Sequence, residues 1–277
     1  MKTPITYYGG KQRLAKIIIE MMPPHKIYCE PFFGGGAVFF MKRASKVEVI
    51  NDHDERLITF YRQVVDNFEE LKEKIQHTLH SESEWLKARR IFYGNGEHQP
   101  DEGATKLDIA WSVWVLCNMS YSGSPNCGWK WDNANSTPCM LDVKRNNFTA
   151  ALHERLAKCQ ISCRDAITVI EQRDSPDTLF YLDPPYVGCQ QQHYHGYSEE
   201  DFEILLTTLQ MIKGKFILSH FENPQLLSAI QKCGWNVRSI DSMMTVANNC
   251  RIDNRMKHEL LITNYQPYPS LFDNHHN

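Results

Sequence analysis

Residues 26–36 read KIYCEPFFGGG, a short apolar run that ends in a turn of three consecutive glycines. The run is typical of a β-strand, and the residues after the glycines, Ala37 to Arg43, can form a helix. A second apolar strand, Val47 to Ile50, follows and leads into Asn51 and Asp52. Because this strand, helix, strand order places the two strands side by side, it predicts a parallel sheet.

The same alternation returns after about residue 150. Leu179 to Leu182 is a compact apolar strand, and Ser198 to Asp201 has the capping-box pattern that opens a helix. A helix is expected from Pro224 to Cys233, closed by Gly234. Three more strands are expected, at Phe216–Leu218, Trp235–Ile240 and Glu259–Thr263. Residues 1–66 and 150–268 therefore predict one α/β core.

The segment 67–149 interrupts this core. It is helical and polar at first, and from Asn118 to Asn147 it is loop-rich, with many Gly, Asn, Trp and Ser residues. An insertion of this kind more often carries specificity than core structure. The polar end of the chain, residues 269–277, is expected to be disordered.

Composition limits the classes of protein that remain. The 277 residues are 42% hydrophobic, enough to fill a sizeable core, and the net charge of −3 requires any nucleic-acid site to be a local basic patch. No apolar run reaches the ~18 residues of a membrane span, and the first residues lack a secretory signal, so a cytoplasmic location is expected. The nine cysteines show no C-x-x-C spacing, which favours reduced thiols over a structural zinc site.

Ligands of open α/β sheets bind beyond the carboxyl ends of the strands, and the glycine turn lies at such an end. Glycines let the backbone approach a ligand closely, and Asp52, at the end of the next strand, can accept both hydroxyls of a ribose. The absence of G-x-G-x-x-G argues against a pyrophosphate ligand. A glycine turn alone leaves a purely structural role equally open.

The second feature at a strand end is Asp183-Pro184-Pro185-Tyr186. A proline pair can simply end a strand, but this combination also suits a poor amine nucleophile, such as the exocyclic amine of adenine. The Asp183 carboxylate and the Pro184 carbonyl can each accept one N–H of the amine. Pro185 makes the turn rigid, and Tyr186 offers a face on which an extruded base can stack.

Taken together, these motifs resemble those of the DNA adenine methylase family, in the arrangement that places the glycine motif first, the recognition insert second and D-P-P-Y third. Residues 7–11 (YYGGK) are similar to the family's W-x-G-G-K, and residues 30–36 are similar to its E-P-F-x-G-x-G. Asn51-Asp52 corresponds to its acidic ribose position, and residues 257–261 (KHELL) to its closing strand. The resemblance covers nearly the whole chain.

The resemblance implies a three-layer α-β-α, Rossmann-like class I fold of S-adenosylmethionine-dependent methyltransferases, with an inserted, mostly helical target-recognition domain. It also implies the activity, methyl transfer from S-adenosylmethionine to N6 of adenine in a specific double-stranded DNA sequence, with base flipping. The product would be S-adenosylhomocysteine, and no metal would be needed. A bacterial or phage source is implied, and an accompanying restriction endonuclease is left open.

The family's roles can be carried over residue by residue. Tyr7 and Lys11 would hold the methionine end of the cofactor, Asp52 its ribose and Asp165 its adenine, whereas Asp183 would touch both cofactor and target amine. Tyr7 replaces the family's usual Trp, and since an aromatic face remains we expect retained binding with slightly altered packing. The catalytic set is Asp183, Pro184, Pro185 and Tyr186. The cofactor set is Tyr7, Gly10, Lys11, Glu30, Phe32, Gly34, Gly36, Asp52, Asp165 and Asp183.

Basic and polar residues in and around the insert are the candidates for DNA contacts. Charge runs are usually only solvated faces, so these assignments depend on position. In the family, the segment around residues 118–131 corresponds to a loop that reads bases or fills the gap left by flipping. Residues 190–195 would form a loop that closes over the base. The DNA set is Arg89, Asn118, Tyr121, Asn126, Lys130, Lys144, Arg145, Arg251 and Arg255.

Other substrates remain possible for this fold, because the fold alone does not identify a substrate. Relatives acting on cytosine N4 typically carry S-P-P-Y and those acting on glutamine N-P-P-Y, so Asp183 favours adenine, in DNA or in RNA. A non-catalytic DNA-binding relative is the alternative of another class. The intact Lys11, Asp52, Asp183 and Tyr186 argue against it.

Overall fold

The computed structural model describes residues 1–94, 100–186, 197–242 and 257–267. Its strands are β1 (Ile27–Glu30), β2 (Val47–Asn51), β3 (Gln160–Ser162), β4 (Thr178–Leu182), β5 (Lys215–Phe221), β6 (Asn236–Ser242) and β7 (Lys257–Thr263). Its α-helices are α1 (Ala15–Glu20), α2 (Ala37–Met41), α3 (Glu55–Asp66), α4 (Phe68–Gln76), α5 (Glu82–Tyr93), α6 (Lys106–Met119), α7 (Ser136–Asn146), α8 (Ala150–Leu156), α9 (Ala166–Arg173), α10 (Glu199–Met211) and α11 (Pro224–Cys233).

The strands form one sheet in the order β3-β2-β1-β4-β5-β7-β6. β1 runs parallel to β2 and β4, and β4 runs parallel to β5. β7 lies antiparallel between β5 and β6, with Ser219 opposite Leu261. The predicted parallel α/β sheet is confirmed, and β3 is a short strand that the sequence pattern did not indicate.

Both faces of the sheet are buried, as a three-layer α-β-α fold requires. Side chains alternate between the faces of a strand. One set packs against α9, α10 and α11, and includes Cys29, Phe180, Leu182, Phe216, Leu218 and Ile262. The alternate set is at most 1% exposed and includes Tyr28, Ile50, Leu179, Tyr181, Ile217 and Leu261. The Rossmann-like class I fold is therefore confirmed.

Local signals set the helix ends near the sheet. Ser198 and Asp201 form the predicted capping box at the start of α10. Asn223 caps α11 by accepting a hydrogen bond from the Leu226 N–H, and Gly234 ends that helix in a left-handed conformation (φ +66°). Such caps satisfy backbone groups that a helix end would otherwise leave without partners.

The chain divides into two compact units. The first comprises Met1–Gln12, Gly34–Lys42 and Asn51–Cys163, and the second comprises Arg13–Phe33, Arg43–Ile50 and Arg164–Asn277. The predicted insert, residues 67–149, lies within the first unit, together with the N-terminal segment and the glycine turn. The second unit carries β1, β4, β5, β6 and β7 of the sheet and β2 up to Ile50. The predicted domain boundaries stay a prediction.

α6 forms the centre of the first unit. All of its residues from Ala110 to Leu116 are at most 2% exposed, so this part of the helix is buried around its whole circumference. Trp111, one of the two buried tryptophans of this helix, donates its ring N–H to Thr78 Oγ1 at 2.8 Å. The helix that carries Asn118 near its end is therefore held on every side.

The loop-rich interpretation of residues 118–147 is partly wrong, because residues Ser136–Asn146 form α7. The Asp132 carboxylate accepts hydrogen bonds from the backbone N–H groups of Ala134, Ser136 and Thr137, at 2.7 to 3.0 Å. These bonds start the helix, and Pro138 is tolerated because it lies in the first turn. A Ser- and Asn-rich composition hid a helix that a single upstream carboxylate nucleates.

Among the residues that the structure describes, no helix is long and apolar enough to cross a membrane. Within the same ranges, no group of three or more His, Cys, Asp or Glu side chains is arranged to hold a metal ion. The seven cysteines placed there are free thiols, and burial raises the pKa of Cys117 to about 12.

Candidate active site

The glycine turn in the first unit is packed tightly against Tyr7. A Cβ atom on Gly35 would lie 2.7 Å from the Tyr7 Cβ, and one on Gly34 would lie 3.0 Å from the Tyr7 ring. Gly34 also adopts a positive φ of +48°, which disfavours other residues. Its carbonyl accepts a hydrogen bond from Tyr61 Oη at 2.8 Å. Glycine is therefore required here by both conformation and space.

Asp52, at the end of β2, fixes the same turn. Its Oδ2 accepts the Gly34 N–H at 2.8 Å, and its Oδ1 accepts the Asp54 N–H at 3.0 Å. Burial raises the pKa of Asp52 to about 6, although the two N–H groups favour the charged form. A carboxylate has about four lone-pair sites, so two bonds leave capacity for the hydroxyls of a ribose.

The N-terminal segment forms a turn beside it. The Gly10 N–H donates to the Tyr7 carbonyl at 3.0 Å, and Gly9 takes a positive φ of +72°. Lys11 is only 7% exposed, and its ammonium donates to the Gly9 carbonyl at 3.0 Å. The predicted cofactor residues Tyr7, Gly10, Lys11, Gly34, Gly36 and Asp52 all lie in this unit.

The catalytic motif lies at the carboxyl end of β4, in the second unit. The Tyr186 hydroxyl lies 3.0 Å from Glu259 Oε1, 3.2 Å from Asp183 Oδ1 and 3.3 Å from Ser219 Oγ. The Tyr186 ring meets the rings of His220 and Phe221 edge to face, at 4.8 and 4.6 Å. The tyrosine is thus fixed at both its ring and its hydroxyl.

This end of the second unit is strongly acidic. Glu30 is 2% exposed and accepts a hydrogen bond from Tyr28 Oη at 2.8 Å, and Glu259 is 6% exposed. Burial, with the negative charges of Asp183, Glu30 and Glu259, raises the pKa of Tyr181 well above its usual value. Three carboxylates therefore act on one buried ring, which makes the site favourable for a cation and unfavourable for a phosphate.

Two further predicted cofactor residues lie in the second unit. Asp165 caps α9, and its Oδ1 accepts hydrogen bonds from the Thr168 N–H at 2.9 Å and the Thr168 hydroxyl at 3.1 Å. Phe32 is half-buried, and its ring meets that of Tyr197 at right angles, with 6.1 Å between centroids. Their contacts with a cofactor stay predictions.

Several predicted DNA residues are exposed on the first unit. The Arg89 guanidinium lies 5.3 Å from the Trp85 ring centre and 5.7 Å from that of Tyr93. Asn126 Oδ1 accepts a hydrogen bond from Tyr93 Oη. Tyr121 is 44% exposed. The Lys130 N–H donates to the Met119 carbonyl at 2.7 Å, which closes the loop between Met119 and Lys130. These contacts place Arg89 and Asn126 next to the same tyrosine.

Three other residues of the DNA set have contacts inside the first unit. Asn118 Oδ1 accepts the Thr6 N–H at 3.0 Å, and its amide donates to the Trp114 carbonyl at 3.0 Å. Burial lowers the pKa of Lys144 to about 8, and its ammonium donates to a backbone carbonyl at 3.4 Å. Arg145 donates to the Thr78 carbonyl. The DNA surface proposed below therefore leaves out Asn118, Lys144 and Arg145.

Arg251, Arg255 and the predicted closing loop at residues 190–195 lie outside the described residues. The structure also brings in residues that sequence reasoning did not single out, chiefly Ser219 and Glu259. The sequence does indicate that Glu259 is unusual, because it directly precedes the apolar run Leu260-Leu261-Ile262. A glutamate in a buried strand needs a hydrogen-bond partner.

Comparison with known proteins adds independent evidence. The sequence profile of the D12 class N6 adenine-specific DNA methyltransferase family matches residues 7–229. The Type II methyltransferase M1.LlaDCHI of Lactococcus lactis subsp. cremoris is 26% identical over 274 residues, which cover 93% of either chain. The Type II methyltransferase M.MjaIII of Methanocaldococcus jannaschii is 26% identical, covering 96% of this chain and 99% of its own.

A phage protein is also similar. The DNA N-6-adenine-methyltransferase of Escherichia phage P1 is 24% identical over 91% of this chain, which corresponds to 34% of the phage protein. The family match includes the glycine turn, Asp52 and the D-P-P-Y motif, all of which the structure places at strand ends. The chain therefore belongs to the D12 class of N6 adenine-specific DNA methyltransferases.

Proposed function

We propose that this methyltransferase binds S-adenosylmethionine through the predicted cofactor residues and methylates an adenine that has been extruded from double-stranded DNA. The observation that carries the proposal is the acidic cluster of Asp183, Glu30 and Glu259 at the end of β4. When bound, the cofactor supplies a methyl group on a positively charged sulfur. A cluster of carboxylates stabilises such a cation and disfavours the phosphates of a nucleotide.

Asp52, Tyr7 and Lys11 have the remaining cofactor-binding roles in this proposal. Asp52 uses its remaining lone pairs to accept the ribose hydroxyls, since its backbone bonds already fix its orientation. The Tyr7 ring and the glycine turn give a flat surface without side chains at Gly34 and Gly35. Lys11, nearly buried beside Gly9, supplies the positive charge for a carboxylate.

Asp183 acts on the substrate amine. Its carboxylate and the Pro184 carbonyl each accept one N–H, which turns the nitrogen lone pair toward the methyl group. The amine gains nucleophilicity without a strong base, and positioning is the main catalytic task. Tyr186 holds the base by stacking, a contact of ~1 to 3 kcal/mol per base.

DNA would contact the exposed face of the first unit through Arg89, Tyr121, Asn126 and Lys130. Arg89 lies over two aromatic rings, so its guanidinium is held in place before a phosphate arrives. The Type II relatives further support a cognate restriction endonuclease that recognises the same sequence, with both enzymes acting in the cytoplasm of a bacterium or of a phage-infected cell.

Tritium transfer from labelled S-adenosylmethionine to unmethylated genomic DNA tests the proposal. We expect Asp183→Ala to lower kcat by ~100-fold or more, because an electrostatic acceptor at the reacting atom is lost. Asp177→Ala is the matched control at the opposite end of β4. It removes only an exposed 2.8 Å ion pair with Lys26, so activity should stay close to that of the wild type.

An Asp183→Ala variant within tenfold of the wild type would contradict the amine-acceptor role. Sequencing the methylated DNA then identifies the modified base and the recognised sequence. A 2-aminopurine in place of the target adenine should brighten on enzyme binding if the base leaves the stack, and constant fluorescence would argue against flipping.

A further inference from the structure

We infer that Asn118, near the end of α6, is a positioning residue that holds the N-terminal segment where Tyr7 and Lys11 can bind S-adenosylmethionine. The inference rests on the cofactor roles proposed for Tyr7 and Lys11. It gives the inserted segment, residues 67–149, a part in cofactor binding that is separate from any contact with DNA.

The Asn118 side chain binds two backbone groups of the N-terminal segment. Its Oδ1 accepts the Thr6 N–H at 3.0 Å, and its Nδ2 donates to the Pro4 carbonyl at 3.4 Å. A side-chain amide has an acceptor oxygen and two N–H donors, so it can bind a backbone donor and a backbone acceptor at once. The two bonds hold the chain on either side of Ile5, which is fully buried, and directly before Tyr7.

The amide of Asn118 is itself fixed by α6. Its Nδ2 also donates to the Trp114 carbonyl, one turn earlier in the helix, at 3.0 Å. Two carbonyls therefore face the nitrogen and one N–H faces the oxygen, which sets the orientation of the amide. Trp114 is fully buried, so the N-terminal segment is attached to the buried centre of its own unit.

Two further residues of the insert contact the same segment. Gly123, in the loop after α6, packs so closely that a Cβ atom would lie 2.8 Å from the Thr6 carbonyl oxygen. Lys144, on α7, donates from its ammonium to the Thr3 carbonyl at 3.4 Å. All of these contacts precede Tyr7 in the chain, so they fix the position from which the turn with the cofactor residues starts.

The turn that follows is closed by bonds between its own residues. The Gly10 N–H donates to the Tyr7 carbonyl at 3.0 Å, and the Lys11 ammonium donates to the Gly9 carbonyl at 3.0 Å. These bonds set the shape of the turn, whereas the contacts with Asn118 help to set its place in the unit. A segment that leaves this place for part of the time binds the cofactor more weakly, in proportion to the fraction of molecules that are competent to bind.

Cofactor binding in the absence of DNA separates this role from a DNA contact. We expect Asn118→Ala to lower the affinity for S-adenosylmethionine about fivefold in calorimetric titration, because the segment loses two hydrogen bonds. A residue that only contacts DNA would leave this affinity unchanged. In methylation assays the KM for the cofactor should rise by a similar factor, whereas kcat at saturating cofactor should stay within about twofold of the wild type.

Asn147→Ala is the matched control. Asn147 directly follows α7 and is half-buried, as Asn118 is, and its amide also donates to a carbonyl one turn earlier, that of Val143 at 2.7 Å. Among the described residues, this amide bonds to its own helix and not to the N-terminal segment. The variant should keep the wild-type cofactor affinity. Unfolding temperatures of both variants show whether a loss of stability alone lowers the affinity.

A double variant with Tyr7→Ala tests whether Asn118 acts through the cofactor residues. If it does, Asn118→Ala should cost less affinity in the Tyr7→Ala background than in the wild type. Wild-type affinity in Asn118→Ala, or an equal loss in both backgrounds, would overturn the inference. Wild-type affinity in Tyr7→Ala alone would instead contradict the proposed cofactor role of Tyr7. If Asn118→Ala does not fold, Asn118→Leu removes the hydrogen bonds but keeps a side chain of similar shape, and its affinity decides in the same way.

Discussion

The raised pKa of Asp52 gives cofactor binding a pH dependence that can be calculated. With a pKa of about 6, the carboxylate is about nine-tenths ionised at pH 7 and about one-tenth ionised at pH 5. Only the charged form accepts two ribose hydroxyls while it holds the N–H groups of Gly34 and Asp54. We therefore expect the affinity for S-adenosylmethionine to fall about tenfold as the pH drops from 7 to 5.

Calorimetric titration at pH 5, 6 and 7 measures this change. Asp52→Asn is the matched control, because it keeps the shape of the side chain and removes the titration. It should bind the cofactor weakly, with an affinity that is the same at every pH. A pH profile that survives in Asp52→Asn would assign the effect to another group. A flat profile in the wild type would refute the ribose role of Asp52.

Three other predictions follow from the same contacts. Gly35→Ala places a Cβ 2.7 Å from that of Tyr7 and should destabilise the fold by about 1–3 kcal/mol in thermal unfolding. Gly128→Ala is the control and should not destabilise the fold, because a Cβ there meets open space. Equal unfolding temperatures for the two variants would contradict this prediction. Asp165→Ser keeps the cap of α9 and should lose only cofactor affinity. Asp165→Ala removes the cap as well and should also lose about 1 kcal/mol of stability. Wild-type cofactor affinity in Asp165→Ser would exclude the cofactor contact. DNA affinity should fall steeply as the salt concentration rises. Arg89→Ala should reduce the slope of the logarithm of the DNA-binding constant against the logarithm of the salt concentration by about one, because one phosphate contact is lost. An unchanged slope would show that Arg89 makes no phosphate contact.

The core of the fold could be predicted because its signals are local. β1 and β4 are apolar runs with prolines nearby on both sides, and α11 was predicted with the same boundaries because Pro224 and Gly234 mark its ends. β3 has only three residues, none of them fully buried, so its sequence carries little strand signal. α7 depends on hydrogen bonds that the backbone N–H groups of Ser136 and Thr137 donate to the Asp132 carboxylate, and hydrophobic periodicity does not indicate such bonds.

The site divides in the same way. Asp52, Asp183 and Tyr186 could be predicted because each lies at the end of a strand, within a short motif of adjacent residues. Glu259 lies 73 residues from Tyr186 in the sequence, and only the pairing of β5 with β7 brings Ser219 and Glu259 together. Asn118, near the end of α6, has a partner that its sequence neighbours do not indicate, because its side chain accepts a hydrogen bond from the Thr6 N–H, and its DNA contact stays a prediction.

If the loop after α6 reads the DNA sequence as predicted, its attachment to the N-terminal segment limits how this enzyme could be given a new target sequence. Asn118 binds the Thr6 backbone, and Gly123 packs so closely that a Cβ would lie 2.8 Å from the Thr6 carbonyl. A chimera that imports a loop from another methyltransferase should therefore splice after Gly123 and before Lys130. Junctions placed before Gly123 would remove the contacts that hold the N-terminal segment, which carries Tyr7.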